Sequence, residues 1–127
     1  RGERIVETKR IAGAETPSRA RQIVRSGDTI LSTVRTYLKK TALVPSELDG
    51  ATASTGFCVL RPVEGVDPRF LYYRVIESGF VRRLSSLQTG SSYPAVRDRD
   101  VFSQLIGLPP TAEQRRIVGV IEEQLSR

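Results

Sequence analysis

The 127-residue sequence predicts an α/β fold, a mixed, twisted and mainly antiparallel sheet with a few packed helices, followed by the start of a long C-terminal helix of the coiled-coil type. Short β-branched runs separated by turn residues fill much of the first half of the chain. A helix start follows at Asp67, and the stretch after Pro110 has an amphipathic helical pattern. We therefore divide the chain into a domain at 1–108 and a helix at 109–127.

Five segments are expected to form short strands, because each is apolar or β-branched and bounded by turn residues. Gly27 and Asp28 form the turn that joins the second strand to the third. Pro62 ends the fourth strand, in which Cys58 is expected to be a buried small hydrophobic residue. The five segments are Glu3–Thr8, Ile23–Val24, Thr29–Val34, Phe57–Leu60 and Leu105–Leu108.

A helix is expected to begin at Asp67 and Pro68. Aspartate accepts hydrogen bonds from the unpaired N–H groups of a first turn, and proline suits the first helical position. Gly79 is expected to end or break this helix, and Asp98–Val101 to form a short capped turn. A second helical stretch follows Gly79, with apolar residues at near three- and four-residue spacing, namely Phe80, Val81, Leu84 and Leu87.

The last helix has the clearest pattern. Thr111 and Gln114 have the spacing of a capping box. Gln114, Val118, Ile121 and Leu125 then recur in steps of four, three and four, which is typical of the contact seam of a coiled coil. Two heptads are also compatible with an amphipathic helix that packs on its own domain.

The net charge is +6, from 20 basic and 14 acidic residues. Ten of the basic residues and only four of the acidic ones lie in Arg1–Lys40. An uneven excess of this kind favours a basic patch and a nucleic-acid partner. Because 17 of the 20 basic residues are arginine, a GC-rich genome could also produce the excess.

The composition excludes several kinds of site. Without histidine there is no Ser-His-Asp triad and no histidine metal ligand, and a single cysteine cannot form an internal disulfide or a CxxC zinc site. Glu7 and Lys9 form a Glu-x-Lys triplet like that of magnesium-dependent nucleases, with Glu3 available as a further carboxylate. A stand-alone nuclease is therefore the alternative function.

Two polar loops and the residues after them are suited to DNA. Arg35, Tyr37, Lys39 and Lys40 combine cations that bind phosphate with an aromatic ring. The loop from Gln88 to Tyr93 carries short donors and acceptors, and Arg97 follows it. Arginine reads guanine and glutamine reads adenine by bidentate contacts. On residue types alone, each loop could equally be a solvated connection.

Several motifs occur together in an order that resembles the target-recognition domain of type I restriction-modification specificity subunits. The resemblance extends from Gln22 to the end of the chain. The matching runs are Ser26–Arg35, Ser54–Pro62, Asp67–Tyr72, Thr89–Val96, Leu108–Pro110 and Glu113–Val118.

The resemblance implies a cytoplasmic, non-catalytic subunit that reads one half of a bipartite site in double-stranded DNA. It implies methyltransferase subunits and a motor-nuclease subunit as partners, and no membrane. S-adenosylmethionine, ATP and Mg would be bound by those partners and no cofactor by this chain. Only one recognition domain and a short part of one helix are present. The chain could therefore be an excised piece, a half-subunit that pairs with a second copy or another recognition domain through the helix, or a degraded relative.

Residues are carried over from the resemblance only where loop positions match. Lys39 and Lys40 are expected to hold phosphate, and the second loop with Arg97 to read bases. The expected DNA-binding residues are Arg35, Tyr37, Lys39, Lys40, Gln88, Thr89, Ser91, Ser92, Tyr93 and Arg97. The expected contacts to a partner helix are Gln114, Val118, Ile121 and Leu125.

Overall fold

The computed structural model describes residues 3–5, 22–90 and 94–127. Seven short strands lie in this part of the chain, and every strand pair is antiparallel. The strands are β1 (Glu3–Ile5), β2 (Gln22–Ile23), β3 (Thr29–Ser32), β4 (Thr41–Leu43), β5 (Thr52–Ala53), β6 (Phe57–Leu60) and β7 (Leu105–Gly107). The helices are α1 (Pro68–Val75), α2 (Ser78–Ser85), α3 (Asp98–Phe102) and α4 (Thr111–Leu125). The predicted fold class is confirmed.

Strand β3 is the centre of a three-stranded sheet and pairs with β4 on one side and β6 on the other. Leu31 lies opposite Thr41 of β4 and Cys58 of β6. The turn at Gly27 and Asp28 forms as predicted, but it does not pair the strands on either side of it. Strand β2 pairs with β5 instead, and β1 pairs with β7.

Strand β6 separates two apolar clusters, which explains why its residues are apolar without alternation. Cys58 and Leu60 belong to the larger cluster, together with Leu31 and buried residues of α1 and α2. Val59 packs with Val24 and Val44 in a smaller cluster. Cys58 is fully buried, as the sequence predicts.

Helix α1 begins as predicted, because the Asp67 carboxylate accepts hydrogen bonds from the N–H groups of Arg69 (2.9 Å) and Phe70 (3.2 Å). The prediction for Gly79 is wrong. Glu77 is extended and interrupts the helical run, and Gly79 is the second residue of α2. The break at Glu77 allows Phe80 and Leu84 to be buried in the core.

A buried ion pair holds the start of β3. Asp28 is 1% exposed, and both of its carboxylate oxygens accept hydrogen bonds from Arg61, at 2.8–3.2 Å. The Asp28 carboxylate also accepts from the Arg25 N–H (2.8 Å), and Arg61 donates to the Ile23 carbonyl (3.2 Å). The hydrogen bond to Asp28 raises the pKa of Arg61, so its charge is retained. The pair joins the end of β6 to β2 and to the turn before β3.

Helix α4 packs on α1, and Gln114 in its first turn bonds to the chain before α1. Gln114 is 1% exposed. Its amide nitrogen donates to the carbonyls of Gly65 (2.9 Å) and Pro109 (2.8 Å), and its oxygen accepts from the Asp67 N–H (2.7 Å). The side chain therefore holds α4 on the turn that precedes α1.

Two predictions about α4 are corrected by this packing. Thr111 is already the first helical residue, and its hydroxyl donates to Gly65, so Thr111 and Gln114 do not form a capping box. Gln114 and Val118 are buried against their own domain and are not available to a partner helix. Ile121 is half-buried, whereas Leu125 is 69% exposed. The periodicity of the sequence identified the correct face of α4. In the first two turns of α4, this face is directed at its own domain.

Replacing Asp28 with alanine should destabilise the fold by about 3–5 kcal/mol, because Arg61 is left as a partly buried charge without its main partner. Urea unfolding measures this change. The control is Arg25→Ala, which removes a half-exposed ion pair with Asp49 at 3.9 Å. It should cost at most about 1 kcal/mol. Equal losses in the two variants would contradict this role for the buried pair.

Replacing Gln114 with leucine should destabilise the domain because the leucine has a similar size but makes no hydrogen bonds. The expected cost is about 1–3 kcal/mol for each interior group left without a partner. The matched control is Gln124→Leu on the exposed side of the same helix, which should change stability by no more than about 0.5 kcal/mol. A thermal unfolding midpoint for Gln114→Leu equal to that of the control would show that Gln114 does not hold the helix.

Candidate nucleic-acid interface

The basic turn, defined here as residues 35–40, directly follows β3. Its centre is a single 3₁₀ turn over Thr36–Leu38. Arg35 (φ +50°) and Lys39 (φ +55°) lie on either side of it in the left-handed region. Each such conformation costs a non-glycine residue about 1–3 kcal/mol and persists only when the surrounding structure enforces it. The shape of this turn is therefore imposed by its neighbours.

Most side chains of the basic turn are exposed to solvent. Tyr37 and Leu38 are 51% and 50% exposed, and Lys39 and Lys40 are also exposed. Arg35 is half-buried. An aromatic ring beside cations on a protruding turn is suited to phosphate, sugar and base contacts.

Thr36 is the one residue of the basic turn that is buried (5% exposed). Its N–H donates to the side-chain oxygen of Gln88 (2.9 Å), and its hydroxyl lies 3.1 Å from the same oxygen. The hydroxyls of Thr36 and Ser85 are 2.7 Å apart and share a hydrogen bond. Beside it, the Arg35 N–H donates to the Pro94 carbonyl (2.8 Å). The turn is thus tied to the end of α2 and to the chain after the second loop.

The second loop returns beside the basic turn. Thr89 and Ala95 exchange N–H···O bonds of 2.9 and 3.0 Å, and Ala95 also bridges to Val34. The Val96 N–H donates to the Thr33 carbonyl (2.9 Å). Gly90 has φ +93°, which favours glycine at the start of this loop. The structure therefore brings together two loops that are about 50 residues apart in sequence.

The predicted DNA-binding residues fall into three groups. Tyr37, Lys39, Lys40, Thr89 and Arg97 are exposed. Arg35 and Gln88 are half-buried, and the side-chain oxygen of Gln88 faces Thr36 inside the protein. The third group, Ser91, Ser92 and Tyr93, lies outside the described residues. DNA contact by these residues stays a prediction.

Thr36 and Ser85 are not among the residues predicted from the sequence to bind DNA. One signal was available, because Ser85 and Gln88 are three residues apart and such residues lie on the same face of a helix. The partner of that face could not be read from the sequence, since Thr36 is 49 and 52 residues away from them.

A second surface lies between α1 and α4. It is an apolar groove of about 640 Å³, lined by Phe70, Leu108, Pro109, Ile117 and Ile121 among others. At the same helix pair, the Tyr73 hydroxyl donates to Glu122 (3.0 Å). Desolvation and this hydrogen bond raise the pKa of Tyr73. Leu125, one of the predicted partner contacts, is exposed on the last turn of α4.

The described residues include neither a cluster of metal ligands nor a membrane-spanning helix. These residues contain no group of three or more carboxylate or cysteine side chains that could hold a metal ion. Glu7 and Lys9, the residues of the nuclease alternative, lie outside the described part of the chain. None of the helices described is long and apolar enough to span a bilayer.

Comparison with known proteins gives one consistent family. The model of the type I restriction modification DNA specificity domain matches residues 14–125. The HindI type I restriction enzyme specificity subunit of Haemophilus influenzae is 24% identical over 109 residues, which are 83% of this chain and 24% of that protein. Neither match gives support to the nuclease alternative.

Two solved structures are also similar. The crystal structure of the HsdS subunit from Thermoanaerobacter tengcongensis has a TM-score of 0.77 and 50% identity, over 94% of this chain and 31% of that one. A structure described as the basis of complex assembly and conformational transition of the type I R-M system has a TM-score of 0.77 and 49% identity, with the same coverage. The chain spans about a quarter to a third of the length of these relatives.

Proposed function

This chain belongs to the type I restriction modification DNA specificity family, and from that premise we propose that it reads one half of a bipartite site in double-stranded DNA. The observation that carries the proposal is the joining of the basic turn to the second loop. Among the described residues, the exposed Lys39 and Lys40 then lie on a segment bonded to those that carry the exposed Thr89 and Arg97. A protein that reads DNA needs both kinds of contact in a fixed register.

Different residues of this surface have different roles in the proposal. Lys39 and Lys40 are exposed point charges and bind phosphate, which contributes affinity without sequence preference. Arg97 is exposed beside the second loop and reads guanine, since its guanidinium can make two parallel hydrogen bonds to a base edge. Thr89, Ser91, Ser92 and Tyr93 complete the reading surface.

The proposal assigns no chemical step to this chain. Methylation of adenine and cleavage belong to methyltransferase subunits and a motor-nuclease subunit, which bind S-adenosylmethionine, ATP and Mg in the cytoplasm. The outer part of α4, with Ile121 and Leu125, contacts a helix of a second recognition domain or of a second copy. The apolar groove that Ile117 and Ile121 line, together with the exposed Leu125, supports this part of the proposal, because a contiguous apolar surface is stabilised when a partner covers it.

Selection of bound duplexes from a random DNA pool tests the function. The full-length protein that carries this sequence is assembled with its methyltransferase for the selection. We expect one short conserved half-site to be recovered, and binding that weakens as salt increases. A pool that stays random, with no salt-sensitive binding, would contradict the function.

Replacing Lys39 and Lys40 together with glutamine should weaken binding to all duplexes by a similar factor. Two phosphate contacts are lost, so the slope of log K against log salt should decrease by about 2. A fluorescence anisotropy titration at several salt concentrations measures this slope. The control is Arg116→Gln with Arg127→Gln, which removes the same charge from exposed positions on α4 and its end. An equal change in the control would indicate a net-charge effect instead of contacts at this turn.

Replacing Arg97 with alanine should relax the preference at one base position and cost about 1–3 kcal/mol on the selected site. The change leaves intact the hydrogen bond from the Arg97 N–H to Asp100 that begins α3, because that bond uses the backbone. Competition with single-base variants of the selected duplex measures the preference. Arg99→Ala, which removes the same charge two residues away, should leave the preference at every base unchanged. Unaltered affinity and preference in Arg97→Ala would refute the assignment.

A further inference from the structure

We propose that Gln88 is a positioning residue that acts on DNA through Thr36 and holds the basic turn in its binding shape. This inference rests on the proposed function. It replaces the expectation from the sequence that Gln88 reads a base. The evidence is the hydrogen-bonded group formed by Thr36, Ser85 and Gln88 under the exposed turn.

The side-chain oxygen of Gln88 is the first reason for this assignment. Reading adenine in a bidentate manner requires the amide oxygen as an acceptor and the amide nitrogen as a donor at the same time. The oxygen of Gln88 already accepts from the N–H of Thr36 at 2.9 Å and lies 3.1 Å from its hydroxyl. Base reading would therefore require these bonds to break and would leave the buried Thr36 N–H without a partner, which is unfavourable.

The backbone of the turn is the second reason. Thr36 lies next to Arg35, and the Lys39 N–H donates to the Thr36 carbonyl (3.0 Å), so Thr36 is bonded to one end of the turn and adjacent to the other. Both end residues have left-handed backbones that need external support. Gln88 and Ser85 supply that support from the end of α2, and they fix the residues that carry the cations.

The position of Gln88 connects the hydrogen bonds under the basic turn to DNA binding. Gln88 immediately precedes Thr89, whose backbone pairs with Ala95 across the second loop. One residue therefore belongs to the second loop and determines the shape of the basic turn. A turn held in its bound shape loses less conformational entropy when DNA binds, and this increases affinity without any added contact.

A double-mutant cycle between Thr36→Val and Gln88→Ala tests the inference. Valine has the shape of threonine but no hydroxyl. Because Thr36 is buried, removal of its hydroxyl cannot remove a direct DNA contact. Each single variant should bind a random-sequence duplex and the selected duplex about 3- to 10-fold more weakly, the change that corresponds to one ordinary hydrogen bond. The loss of affinity in the double variant should be smaller than the product of the two single losses, because both changes remove the bond between the Thr36 hydroxyl and Gln88.

Two further measurements separate positioning from general damage to the fold. Thr36→Ser keeps the hydroxyl and should restore affinity to the wild-type value, while all variants keep the wild-type unfolding midpoint to within a few degrees. Hydrogen exchange at the N–H groups of Leu38 and Lys39, which close the turn, should be faster in Thr36→Val in the absence of DNA. Faster exchange confined to the turn supports the inference.

The outcomes distinguish this inference from the function on which it rests. If the wild-type protein binds DNA, two results would overturn positioning and restore base reading. One is a loss of affinity in the double variant equal to the product of the two single losses. The other is a changed preference at one base in Gln88→Ala. Wild-type affinity in Thr36→Val would overturn it as well. A wild-type protein without salt-sensitive DNA binding would instead overturn the proposed function and, with it, this inference.

Discussion

The buried pair between Asp28 and Arg61 is the interaction on which the rest of the structure depends. It fixes the turn before β3, and β3 is the central strand of the three-stranded sheet. The same arginine reaches the Ile23 carbonyl, so β2, β3 and β6 are held at one point. A buried charge is tolerated only when its hydrogen bonds are satisfied. The Asp28 carboxylate, which is 1% exposed, accepts three hydrogen bonds from the Arg61 side chain and one from the Arg25 N–H. The chain that leaves β3 therefore enters the basic turn from a fixed position.

The surface proposed to bind DNA is built in two layers. The buried Thr36 lies underneath and bonds to the half-buried side chains of Ser85 and Gln88. Exposed cations and an aromatic ring lie outside. Separating support from contact allows the outer residues to differ among proteins of the same fold while the loops keep their relation.

Helix α4 shows what the periodicity of a sequence can predict and what it cannot. Its apolar stripe was recognised from the spacing of Gln114, Val118, Ile121 and Leu125, and the helix forms over Thr111–Leu125. The spacing cannot identify what covers the stripe, because an amphipathic helix that docks on its own domain and one that pairs with a partner have nearly the same pattern. The structure divides the stripe, because Gln114 and Val118 are buried in their own domain and Leu125 is exposed.

Features that depend on neighbouring residues could be predicted from the amino-acid sequence. These are the turn at Gly27, the cap of α1 at Asp67 and the buried strand around Cys58, and the fold class followed from the order of the elements. The pairing of β2 with β5, the bond from Gln114 to Gly65 and the bond between Thr36 and Gln88 became known only from the folded domain. Caps and turns are set by hydrogen bonds over a few residues, so their signals are local. Strand partners and buried amide contacts are chosen among many chemically equivalent groups far apart in the chain, and packing of the whole domain selects among them.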